Sequence, residues 1–442
     1  MFMLAMRSVR RRPGRFAGTL LSAFLGAVIT MAFNSMHDTA GGAGVDDSSA
    51  ETLGLSGGVV GGYSTLLVFF AVASTLTVNV RQRTDEISLL RSTGATPAQI
   101  KRMVTGEAAV IALVAAILAI VPAMLAGNAL LEMFKDTDQV AAGVDYVFGP
   151  IALGAGFGIT LLASAGAAYL AVRRATRAAA GERAPRARMR TIGGTLALLA
   201  GIGGISSTFA MEGDEPVLMM GPAYGAILLS VGFAAFSTGL LRALLVLVAR
   251  PLGLLTGGSG YLAVNALRRR AEHQAGILMP LILFTGIGFA TLCIQAVESA
   301  AIDASGLVKS VEDKNVETLN TIVVGIIVAF CCVMLINSLY AATSYRVKEF
   351  GGQRLAGATP RQVVGGVGVE AALLTVTGVL FGTLAGYAGL LAFVSVRTGA
   401  EMPGSGPLIW AGIVVVGAAA TMLTTLLTAR RALRVPAVVA VA

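Results

Sequence analysis

Runs of eighteen or more apolar residues recur along the whole chain, each long enough to cross roughly 30 Å of hydrocarbon as a helix. Ala and Leu dominate these runs, and the ten-residue alternation that a lipid-embedded barrel requires is missing. The fold class is therefore all-α, a polytopic transmembrane helical bundle. Ten spans are expected at about 17–36, 59–80, 103–127, 150–172, 191–211, 217–241, 276–296, 318–342, 367–394 and 407–429. Only 13% of the 442 residues are charged, too few to cover a soluble domain of this length. The first run, Arg15 to Phe33, ends without an Ala-x-Ala-like cleavage site and is read as a retained span.

Charge fixes the orientation. Of the 33 Lys and Arg residues, 29 fall on one side, in the N-terminus, in 81–102, 173–190, 242–275 and 343–363, and after the last span. The other side holds four (Lys135, Lys309, Lys314 and Arg397) against 17 acidic residues. The positive-inside rule puts both termini in the cytoplasm. The net charge of +9 is thus a topology signal with lipid headgroups as its partners, not a nucleic-acid footprint. Cys293, Cys331 and Cys332 lie within apolar spans, and His37 and His273 fall on opposite sides of the membrane. No metal cluster or Ser–His–Asp group can be assembled from them.

Two stretches repeat at an offset of 263 residues: Arg83 falls on Arg346, Glu86 on Glu349, Arg91 on Arg354, Gly94-Ala-Thr-Pro97 on Gly357-Ala-Thr-Pro360, and Glu107 on Glu370. Arginine clusters at the borders repeat as well, Arg10–Arg12 with Arg268–Arg270 and Arg173-Arg-Ala175 with Arg430-Arg-Ala432. The expected architecture is two parallel four-helix repeats, residues 1–180 and 251–442, joined by a two-helix hairpin at 181–250.

The repeated connection reads as helix, stop, new helix. Gly94 permits the turn, Thr96 is the N-cap, Pro97 takes the first helical position and Gln99 completes a capping box; Thr359, Pro360 and Gln362 do the same. Ile87, Leu90 and Arg91 share one helical face, which suits a docking surface for a cytoplasmic partner. Glu107 and Glu370, one turn inside spans three and nine, either pair with a nearby arginine such as Arg102 or form a charge pair that senses motion of the connection. Gly378, Gly382 and Gly386, and Gly154 and Gly158, have the small-residue spacing of close helix contacts. Asn320 and Asn337 are expected to face inward or lie near a helix end.

The stretch Asp85 to Thr96, Asp-Glu-Ile-Ser-Leu-Leu-Arg-Ser-Thr-Gly-Ala-Thr, and its partner at Glu349–Val363 resemble the signature of the FtsX-like (MacB-type) ABC transporter permease domain. The whole chain is similar to the ten-span form with two permease domains. That resemblance implies a bacterial inner- or plasma-membrane permease whose cytoplasmic connections are coupling helices seated on two copies of a separate ABC ATPase. The first coupling element would be Glu86, Ile87, Leu90, Arg91, Gly94 and Ala95; the second Glu349, Phe350, Gln353, Arg354, Gly357 and Ala358. Gly351 and Gly352 depart from the pattern and weaken helix there. No Gly-x-x-x-x-Gly-Lys-Ser/Thr occurs, so the chain binds no cofactor of its own, and ATP and Mg belong to the partner. The chain is then no enzyme, and export or extraction of an amphiphilic substrate (lipid, peptide or antibiotic-like) is the leading function. ATPase-driven signal or force transmission is the alternative, which the short outer loops disfavour.

Overall fold

The computed structural model describes residues 17–58, 89–90, 92–179, 186–212, 218–256, 264–265, 267–269, 271–305, 346–399 and 406–441, with scattered positions between 318 and 343. Expected span two, Asn320, Asn337 and Cys331 lie outside the described residues. The protein is a multi-pass membrane protein: among the described residues seven helices are long and apolar enough to cross a bilayer, or eight if one bent pair counts as a span. The chain divides into two compact units, residues 1–184 with 308–326, and residues 185–307 with 327–442.

The first unit contains α1 (Ala17–Ala40), α2 (Pro97–Asp136) and α3 (Pro150–Ala179). One buried cluster sets Ala27 and Met31 of α1 against Ala116, Ala119 and Ala123 of α2. At 40 residues α2 is about 60 Å long, twice the hydrocarbon thickness, so its ends project from the apolar layer. On the side away from the elbow at residues 94–97, polar side chains knit the helix ends together. Asp38 accepts hydrogen bonds from the first amides of α3, at Ile151 (3.1 Å) and Ala152 (2.8 Å). Asp46 caps a short helix at 47–58 by accepting from the Ser49 amide at 3.0 Å and the Ser48 hydroxyl at 2.6 Å. These bonds hold the Asp46 carboxyl down at about 2. Among the described residues nothing lies within 4 Å of a Cβ built at Gly154 or Gly158, whereas Gly156, between them in sequence, packs on Met31.

The second unit contains α4 (Arg186–Ser207), α5 (Met220–Ala235), α6 (Ser237–Thr256), α7 (Ala271–Ser305), α8 (Val347–Leu355), α9 (Pro360–Arg397), α10 (Gly406–Ala432) and α11 (Ala437–Val441). Expected span six, 217–241, is not one straight helix. The chain leaves helical geometry at Phe236 (ψ 7°), and α5 and α6 meet at 72°. The Ser237-Thr238-Gly239 run that follows is poor helix former, and both hydroxyl residues are buried at the bend. Because no charged residue interrupts the run from Met220 to Leu241, hydropathy does not register the break.

Expectation and structure agree at the α7–α9 seam. A Cβ at Gly382 would lie 2.9 Å from the Ile282 carbonyl oxygen, and one at Gly386 would lie 2.8 Å from that of Gly286. Only glycine lets these backbones approach so closely. Gly378 packs on Leu281 in the same seam, and Leu281, Ile282, Leu373 and Leu374 form a buried core with Leu241, Leu245, Leu335 and Leu339. At the outer end of the seam Arg397 donates to both oxygens of Glu298, each at 3.0 Å.

Candidate functional site

The two Gly-Ala-Thr-Pro sequences fold into the same elbow. Gly94 and Gly357 adopt φ of +93° and +97°, a region in which a Cβ is strained. In each, the amide of the following alanine reaches back five residues, Ala95 to the Leu90 carbonyl and Ala358 to the Gln353 carbonyl, both at 2.9 Å. In the second elbow Gly357 also donates to Arg354 at 3.1 Å, which completes a Schellman stop. The next helix starts at once, because Thr96 and Thr359 are N-caps in capping boxes. The Thr96 amide donates to Gln99 Oε1 at 2.9 Å and the Gln99 amide to Thr96 Oγ1 at 3.3 Å, and the same two distances recur at Thr359 and Gln362. Behind the elbows, Ile100, Val104 and Glu107 of α2 are buried, as are Val363, Val367 and Glu370 of α9.

The two glutamates lie ten residues past Pro97 and Pro360, about 15 Å along their helices. Glu370 receives Arg346, the residue that precedes α8: one guanidinium nitrogen bonds Oε2 and another reaches Oε1 at 3.1 Å. The same guanidinium grips Glu349 at 3.1 and 3.2 Å and lies 5.0 Å over the Phe350 ring. Burial by itself lowers the pKa of this arginine, but the bonds to Glu349 and the charge of Glu370 outweigh it and raise the pKa above the usual value. The ion pair bridges α8 and α9 beyond the glycine that joins them. Helix, turn, helix and ion pair thus form a closed triangle, and α8 is braced against hinging at Gly357.

The expected site residues divide between surface and interior. In the second elbow Gln353 and Gly357 are exposed, whereas Glu349, Arg354 and Ala358 are half-buried. Phe350 faces inward at 1% exposure, packed on Val363, Val367 and Ala429. It anchors α8 from within the protein. Gly351 is buried and Gly352 exposed, and both are helical despite their low propensity. In the first elbow Gly94 is exposed, and Leu90 and Ala95 are half-buried. Glu86, Ile87 and Arg91 lie outside the described residues.

Two features escaped the sequence reading. Of the two leucines described in the first elbow, Leu89 is 66% exposed and Leu90 half-buried. The signal for it was the run Leu89-Leu90, in which only one residue can take the inner face of a helix. Arg354 donates to the carbonyls of Leu433 at 3.1 Å and Val435 at 2.8 Å, tying the segment after α10 to α8. A contact across some eighty residues leaves no local pattern to read.

Among the described residues no group of His, Cys, Asp and Glu could hold a metal ion. The family model for the C-terminal part of FtsX-like permeases matches the chain twice, over residues 58–176 and 321–437, so the matches start 263 residues apart and each encloses one elbow. No curated protein matches the chain. Since the matched segments cover more than half of the residues, the chain belongs to the FtsX-like permease family, whose members are non-catalytic components of transport systems.

Proposed function

We propose that this chain is the transmembrane subunit of an ABC transporter, coupling ATP hydrolysis by a separate cytoplasmic ATPase to export or extraction of an amphiphilic molecule. The observation that carries this reading is the braced elbow. A helix held on a rigid turn and fastened by a buried ion pair ten residues into a span-length helix is suited to pass a push from the cytoplasm into the membrane. ATP and Mg would bind the partner alone. The repeat at an offset of 263 favours two such elements on one side, one for each of two ATPase copies, in a duplicated arrangement of residues 1–180 and 251–442 about a hairpin at 181–250. Both termini then face the cytoplasm, on the inner or plasma membrane of a bacterium. Outer segments such as 41–46 and 137–149 are short, which favours a substrate taken from the bilayer over transmission to an outer domain.

The test is purification of the full chain in mild detergent from cells that also express the candidate ATPase of its own source. Copurification, with negligible hydrolysis by the chain alone and stimulated hydrolysis by the complex, is the expected result. Robust hydrolysis without a partner would overturn the reading. Single-cysteine labelling at residue 180 checks the orientation, with reactivity expected from the cytoplasmic side only.

A further inference from the structure

The bend at Phe236 lies at a definable depth. Arg186, Arg188 and Arg190 crowd the start of α4, and no charged residue follows before Glu212, so the hydrocarbon layer begins just past Arg190. Arg190 donates to the Thr238 hydroxyl at 3.4 Å. Close by, Gly194 leaves the room that the Phe236 ring takes, since a Cβ there would stand 2.9 Å from that ring. At the other end of the pair the backbones touch again, with Gly221 of α5 against Gly204 of α4. Thus α5 follows the span-length α4 across the membrane, and the chain breaks at the membrane boundary, not within the hydrocarbon. Turning by 72° at that level, α6 runs along the membrane surface.

Two faces of α6 are apolar. Leu241 and Leu245 are buried in a cluster with Val264, Leu267, Ala271 and Leu278. The other face, at helical spacing, is Gly239, Arg242, Ala243, Val246 and Leu247, all exposed, Val246 to 61% and Leu247 to 75%. We propose that α6 is an in-plane interfacial helix, with Val246 and Leu247 sunk in the acyl boundary of the cytoplasmic leaflet and Arg242 at the level of the headgroups. What covers the face is the bilayer itself, because the lipid-facing surface of α4 leads through the exposed Leu199, Leu196 and Ile192 down to Arg190, where α6 starts. An ordinary interfacial helix turns its second face to water; here that face packs on protein. Span six then ends at the bend, and the apolar run beyond it is a surface contact with lipid, not more of the span. The leaflet is the cytoplasmic one by the orientation proposed above; the depth follows from Arg190 alone.

The experiment exploits the single tryptophan, Trp410. In the full chain carrying Trp410→Phe, Leu247→Trp is placed in nanodiscs of phosphatidylethanolamine and phosphatidylglycerol whose chains are brominated either near the headgroup or near the chain end. Its fluorescence should be quenched about two-fold more by the shallow bromines, as for a side chain about 5–10 Å inside the boundary. Leu199→Trp, about 14 Å farther along α4 than Arg190, should show the reverse order. Val246→Trp should repeat the result at 247, and unchanged melting of each variant shows that the fold is kept. Quenching at 247 in the same order as at 199 would mean that α6 re-enters the hydrocarbon, and the proposal falls. Quenching there by aqueous acrylamide and by neither lipid would place α6 in the cytoplasm, and it falls equally. If residue 180 is labelled only from outside, the leaflet is overturned while the depth stands.

Discussion

At the first elbow Leu89 stands 66% exposed; at the second the same position is Gly352, and the apolar exposure lies on Leu355 and on a separate helix. Yet the two turns agree to 0.1 Å in their capping-box bonds and within 4° in the φ of the glycine. The backbone of an elbow is set by local hydrogen-bond chemistry that four residues and a glutamine can specify. What the elbow presents depends on side chains that duplication leaves free to drift. Its fastening also varies in kind: at the second elbow Arg346 braces α8 to α9 and Arg354 straps the following segment to α8.

The largest test of this contrast removes the brace. Arg346→Ala leaves Glu370 buried without its partner, and breaking a buried pair in this way costs about 3–5 kcal/mol. The expected outcome is a large drop in the denaturation midpoint of the detergent-solubilised protein together with loss of coupled ATPase stimulation. Glu370→Gln keeps a hydrogen-bonding group and should lose less. Unaltered stability in Arg346→Ala would mean that Phe350 packing and the Arg354 bonds hold α8 without the ion pair.

Next in size is Leu89→Asp. An exposed apolar anchor truncated to a charge should cost about 2 kcal/mol of partner affinity, roughly thirty-fold, with little change in melting. Leu90→Asp reverses the pattern, since Leu90 is half-buried and its carbonyl closes the turn. If both variants lose affinity and neither loses stability, the inner and outer faces of the first elbow have been misassigned.

Gly94→Ala and Gly357→Ala come third. Each forces a Cβ into the left-handed region at a cost of about 1–2 kcal/mol, and neither meets a steric obstacle among the described residues, so their effects on melting should match. Unequal shifts would break the equivalence of the two turns.

How much of this was legible follows from the range of each interaction. The caps, the prolines and the turning glycines were plain because their partners lie within five residues. The close α7–α9 seam was legible from Gly378, Gly382 and Gly386, although the same spacing at Gly154 and Gly158 meets no neighbour among the described residues, because spacing shows a stripe and not what faces it. The Arg346–Glu370 pair spans 24 residues and needs the chain to double back before the two charges meet. Helical spacing grouped Ile87 with Leu90, and the family resemblance carried that grouping onto Phe350 and Gln353. It could not say that Phe350 points at Val363 and Val367, since core and docking surface make the same demand for apolar residues. The bend at Phe236 was hidden because no charge interrupts the apolar run before Arg242.

The smallest expected effect concerns the two glycines of α8, which the sequence treats alike and the structure separates. Gly352 is exposed, helical and without a neighbour within 4 Å of a built Cβ, so Gly352→Ala should stabilise α8 by about 1 kcal/mol through helix propensity alone. Gly351 is buried on the same side of α8 as Phe350, where an added methyl must find room in a packed interior. Gly351→Ala should therefore gain less or lose stability, and the double variant should fall below the Gly352→Ala value. Hydrogen exchange of the α8 amides reads the difference directly, with slower exchange expected in Gly352→Ala. If that variant gains helix protection yet loses ATPase stimulation, then the absence of a side chain at 352 is itself used by the partner. In that case the second docking surface would need bare backbone where the first needs Leu89.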